Sequence, residues 1–107
     1  MSKKIKRWEI WYADVKFEDS DEIKRRPVLV YNNVTFAIVS YKMTSTDRGD
    51  GVTEYRVKEW KEAGLDNPTS VRIDKVLRLK EQDFIKKIGQ LTVADIMQFQ
   101  LRISSRK

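Results

Sequence analysis

Alternation of apolar and polar positions runs through most of the chain, and helical spacing appears only near its end. WEIWYADV at 8–15 is rich in aromatic and β-branched residues and predicts a first strand. PVLVYN at 27–32 predicts a second, opening on a proline where a missing N–H does little harm to the ladder. Asn32 and Asn33 then predict a turn into TFAIVSYKM, a third strand. VTEYRVK alternates again, and TSVRIDKVLRL at 69–79 predicts a longer strand. Its period of two puts Ser70, Arg72 and Asp74 on one face and Val71, Ile73, Leu77 and Leu79 on the other. FIKKIGQL is short and mixed.

The connections read as polar. KFEDSDEIKRR at 16–26 is charged with almost nothing to bury and predicts a long exposed loop; TSTDRGDG at 44–51 predicts another, and EWKEAG a single helical turn closed by Gly64. LTVADIMQFQLRIS predicts one helix. Val93, Ile96, Met97 and Leu101 form its apolar stripe, Phe99 and Ile103 begin a second flank, and Thr92 with Asp95 resembles a capping box. Short strands followed by one helix imply a mainly β domain, a small, strongly bent antiparallel sheet or barrel of the SH3-like kind. With no repeat or Pro/Gly-rich linker, residues 1–107 read as a single domain.

Composition narrows the chemistry. Lys and Arg number 22 against 16 Asp and Glu, a net charge of +6 that favours an anionic partner such as nucleic acid. The chain has no histidine and no cysteine, which excludes imidazole acid/base catalysis, thiol nucleophiles, disulfides and imidazole or thiolate metal sites. No window approaches 18 apolar residues and the basic N-terminus leads into no apolar signal region, so the expectation is a soluble, cytoplasmic protein without a membrane partner.

Five segments in order, RWEIWYADV, RRPVLVYNN, MTS, SVRIDKVLRL and KKIGQLT ahead of the helix, resemble the MazF/PemK (Kid-type) toxins of type II toxin–antitoxin systems, from about Arg7 to Ile103. The resemblance implies a barrel of the CcdB type and a homodimeric endoribonuclease. Such an enzyme cuts single-stranded RNA without metal or other cofactor and is silenced by a cognate antitoxin with an acidic, partly disordered segment. By matched position it implies Arg26, Thr44, Arg72 and Asp74 as catalytic residues, with Glu22, Lys24, Arg25, Ser45, Thr46 and Arg48 contacting RNA. These residue types suit the reaction. When a 2′-hydroxyl attacks the adjacent phosphorus, arginines clamp the oxygens on which charge builds and hydroxyls add hydrogen bonds. A carboxylate is the candidate base, although an ordinary aspartic acid pKa of about 3.9 is low for that role. Without the resemblance, Lys24–Arg26 reads as a solvated charge run and Arg72 with Asp74 as a surface ion pair worth little.

The chain departs from the family at Trp8, where glycine is common, which predicts a different local turn. Its first loop is acidic and lacks the usual glycines. Two alternatives stand beside the nuclease: a non-catalytic SH3-like nucleic-acid-binding module, and a gyrase-poisoning toxin of the same fold. Toxins of the latter kind use a C-terminal Trp-Gly-Ile, whereas this sequence reads RISSRK.

Overall fold

The computed structural model describes residues 4–16, 22–34, 37–45 and 53–104. Six strands and one helix follow in order: β1 (Glu9–Lys16), β2 (Ile23–Val34), β3 (Ala37–Thr44), β4 (Glu54–Arg56), β5 (Ser70–Leu79), β6 (Phe84–Gln90) and α1 (Val93–Ser104). The strands form one antiparallel sheet in the order β4-β5-β3-β2-β1-β6. Among the described residues β4 and β6 do not pair, so the bent sheet stays open at both edges instead of closing into a barrel. No helix in it is long and apolar enough to cross a membrane.

Both faces of the sheet carry a core. Ile10, Leu29, Tyr41, Met43, Tyr55, Val71 and Ile73 pack on one face under Phe99 of α1; Trp11, Ala13, Val15, Val28, Val30, Ile38, Leu79 and Phe84 pack on the other. Consecutive residues of β1 and β2 are therefore buried in alternate cores, as a strand covered on both sides requires.

Three expectations for the strands change. The strand predicted from Pro27 begins at Ile23, because Lys24, Arg25 and Arg26 pair with Val15, Asp14 and Ala13 and are not loop residues. The turn predicted at Asn32–Asn33 is strand: both pair with β3 after a bulge at Tyr31, and the Asn33 amide donates to the Ile5 carbonyl at 2.8 Å. The single dry face predicted for β5 is split between the two cores. Tyr41 pairs with Val76 and its neighbour Lys42 with Arg72, so three extra residues of β5 bulge out and reverse its side-chain phase. Val71 and Ile73 accordingly enter one core, Leu79 enters the other with Leu77 packed against it, and Ser70 on the expected wet face is buried.

The helix turns a different side inward from the one predicted. Phe99 is fully buried, with its ring edge-on to those of Trp8, Tyr41 and Tyr55, and Ile96 and Ile103 flank it. The expected main stripe is largely outside: Val93, Met97 and Leu101 are 72%, 59% and 64% exposed. One large aromatic surrounded by rings outweighs three aliphatic residues in choosing the buried face. Asp95 does not close a capping box either. The Thr92 hydroxyl accepts from the Asp95 N–H at 3.4 Å, while the buried Asp95 carboxylate reaches across to the 58–64 turn. There it accepts from the Lys58 and Glu59 N–H groups at 3.0 and 2.9 Å and from the Tyr55 hydroxyl at 2.5 Å. Burial and this bond to Asp95 push the Tyr55 hydroxyl above its usual range, so it remains a donor.

Trp8 resolves the departure noted at the first turn. It has φ of 74°, a left-handed conformation that glycine enters freely and that costs a bulky residue on the order of 1–2 kcal/mol. Its surroundings offset that cost. The indole packs edge-on against Tyr31 and Phe99, the Arg7 guanidinium lies 4.6 Å from its centroid, and its backbone bonds Val30 and Leu91.

Candidate functional site

The sheet forks. β2 and β3 pair only as far as Val28 and Lys42. From there toward its N-terminus β2 stays with β1, through Pro27 opposite Tyr12, while β3 continues along β5, through Met43 opposite Val71 and Thr44 opposite Ser70. A cavity of about 660 Å³ sits between the two arms. Tyr12, Arg26, Pro27 and residues 86–88 line one side, residues 42–45 and Arg72 the other, and residues 64–67 with Thr69 complete the wall. Its lining is mostly cationic, with Arg26, Lys42, Arg72, Lys86 and Lys87 beside one carboxylate, Asp66, while Arg72 and Lys87 are paired with carboxylates just outside the lining.

Four of the sequence-predicted residues meet here, namely Arg26, Thr44, Ser45 and Arg72. Arg26 is exposed on β2, Thr44 ends β3 and Ser45 is exposed just beyond it. Arg72 is nearly buried, lying on β5 between its cross-strand neighbours Lys42 and Glu54. Its Nε is 3.4 Å from Asp74 Oδ1 and 3.5 Å from Glu54 Oε1, and its Nη2 is 3.4 Å from Asp74 Oδ2. Asp74 thus holds the guanidinium by two long hydrogen bonds, and Glu54 adds an ion pair. Asp74 does not line the cavity and stands behind Arg72. Glu22 and Lys24 form an ion pair at 3.6 Å, and Arg25 pairs with Asp14 at 3.4 Å; all lie outside the cavity lining. Thr46 and Arg48 lie outside the described residues.

Sequence reasoning missed Glu54, Lys42, Lys86 and Lys87. Glu54 is signalled only by being a buried carboxylate opposite Arg72, a relation of register that a single sequence hides. The lysines come from β3 and β6, strands far apart in sequence that the fork brings to one rim.

Lys87 also ties the rim to the core. Its Nζ lies 2.8 Å from Oε2 of the buried Glu9, whose Oε1 accepts from the Lys6 N–H at 2.8 Å and the Trp11 indole N–H at 3.0 Å. Burial alone raises the Glu9 pKa, but the bonds from Lys87, Lys6 and Trp11 outweigh it and hold the carboxyl below its ordinary 4.5. A depressed carboxylate contributes stability that is complete above the unfolded value and lost as pH falls through the folded one. The urea midpoint is therefore expected to fall below about pH 4.5, with a shallower acid limb in Glu9→Gln; identical limbs would place the acid sensitivity elsewhere.

The family model for PemK-like, MazF-like toxins of type II toxin–antitoxin systems matches residues 6–105. The chain belongs to that family. This PemK/MazF-like toxin shares its fold with the Mycobacterium tuberculosis toxin MazF-mt6, at a TM-score of 0.72 and 22% identity over 92% of this chain and 94% of that one. It is equally similar to an endoribonuclease from a mycobacterial species in complex with its cognate antitoxin, at a TM-score of 0.74 and 17% identity over 94% and 91% of the two chains. At these identities the likeness is one of fold. No curated protein matches the toxin's sequence.

Proposed function

We propose that this toxin is a metal-independent endoribonuclease that cuts single-stranded RNA through attack of the 2′-hydroxyl on the adjacent phosphorus. The observation that carries the reading is the cationic cavity at the fork, where Arg26, Thr44, Ser45 and Arg72 converge. Arg26 neutralises the phosphorane oxygens from one arm while Thr44 and Ser45 donate hydrogen bonds from the other. Arg72 adds a second guanidinium whose direction is fixed by Glu54 and Asp74, so less side-chain freedom is lost when a phosphate docks. This pairing supports Asp74 as the residue that aims Arg72.

Incubation with mixed-sequence RNA in EDTA is expected to yield 2′,3′-cyclic phosphate and 5′-hydroxyl ends. Ends bearing 3′-hydroxyl and 5′-phosphate, or inactivity in EDTA, reject the mechanism, and binding without any cleavage favours the non-catalytic module. Asp74→Asn is expected to lower rate and RNA affinity together; a rate loss with affinity intact makes Asp74 the base instead.

The exposed apolar stripe of Val93, Met97 and Leu101 supports a symmetric homodimer, and the cationic cavity supports an acidic antitoxin segment that competes with RNA. Light scattering that finds a monomer at micromolar concentration would reject the dimer.

A further inference from the structure

The toxin has four tyrosines, and three of them serve the core. Tyr31, Tyr41 and Tyr55 pack edge-on in the ring network that includes Trp8 and Phe99. Tyr12 does not join it. Tyr12 lies outside both cores, is 37% exposed and lines the cavity; among the described residues its ring meets no other aromatic ring and its hydroxyl has no hydrogen-bond partner. It is also rigidly mounted, since β1 is an inner strand that places Tyr12 between Pro27 of β2 and Lys86 of β6.

We infer that Tyr12 is a stacking platform for one unpaired nucleobase of the bound RNA, next to the phosphate held by Arg26. This inference rests on the reading of the cavity as an RNA site. An aromatic ring set among cations offers what a nucleotide presents, a flat π-face beside a negative charge, and a base in a duplex is not free to take it. The platform therefore gives the site its selectivity for single strands, independently of any base-edge hydrogen bond.

The test measures fluorescence anisotropy of a labelled mixed-sequence 2′-O-methyl RNA pool, which lacks the attacking hydroxyl, with wild-type toxin and with Tyr12→Ala, Tyr12→Phe and Tyr12→Trp. Tyr12→Ala is expected to bind single strands about 5- to 100-fold more weakly, while Tyr12→Phe and Tyr12→Trp stay within about twofold of wild type. Affinity for a duplex of the same composition is expected to be unchanged in all four proteins. Urea midpoints close to wild type are expected throughout, because Tyr12 belongs to neither core. Undiminished single-strand binding by Tyr12→Ala, a Phe variant as weak as the Ala variant, or equal losses on single strand and duplex overturns the inference. Since the pool cannot be cut, these outcomes are separate from cleavage: unmodified RNA of the same composition left intact by wild-type toxin, alongside the expected binding pattern on the 2′-O-methyl pool, rejects the nuclease reading and leaves the platform standing. Wild-type toxin that binds no pool at all overturns both.

Discussion

Arg26→Ala is expected to reduce RNA cleavage by at least about 100-fold, the usual loss when a donor to developing oxyanion charge is removed. Its urea midpoint should barely move, because surface changes away from caps, cores and buried pairs stay within about 0.5 kcal/mol. Arg26 is exposed, and its backbone pairing with Ala13 survives the substitution. Arg25→Ala is the matched control. It deletes the same charge one residue away, but Arg25 pairs with Asp14 outside the cavity, so only a small change in binding is expected. Comparable losses in both variants would mean that the toxin responds to overall charge and has no clamp at Arg26.

Asp95→Ala should destabilise the fold strongly, by about 3–5 kcal/mol. The carboxylate is 1% exposed and accepts from the Tyr55 hydroxyl and the Lys58 and Glu59 N–H groups at 2.5–3.0 Å, with the Thr92 hydroxyl a longer donor at 3.5 Å. Its removal leaves the first three groups without an acceptor and unties α1 from the turn after β4. In a domain of this size the melting temperature is expected to drop by more than about 10 °C. Asp95→Asn separates acceptor loss from cavity formation, since it keeps the volume and should still cost more than Tyr55→Phe, which removes one donor alone. Stability of Asp95→Ala within about 1 kcal/mol of wild type would show that water replaces these bonds.

Two features of the fold are concealed by alternation. Five of the six strands were legible in outline, and so was α1, because period-two and helical patterns are local; β6, whose sequence is short and mixed, was not. The reversal of phase in β5 was not. Val71, Ile73, Leu77 and Leu79 look like one face, and only the pairing of Lys42 with Arg72 beside that of Tyr41 with Val76 reveals the bulge. The buried side of α1 was equally hidden, since its choice depends on rings contributed by β1, β3 and β4. Arg26, Thr44, Ser45 and Arg72 were reached through family resemblance, and the cavity gathers those four. Tyr12 and Glu54 needed coordinates, one because its exposure and the other because its burial is invisible in a run of letters.

Gly64 and Gly89 meet where the loop that walls the cavity leaves the 58–64 turn. A Cβ at Gly89 would come within 1.9 Å of the Ala63 carbonyl oxygen, and one at Gly64, where φ is 94°, within 2.6 Å of the Ile88 oxygen. Main chain rests directly on main chain there, so the aperture on that side is set by backbone thickness and not by any side chain. Lining residues on the two arms can consequently drift while the main-chain spacing at this crossing stays fixed. Natural variants of this toxin should diversify at the rim and tolerate almost nothing at this one crossing.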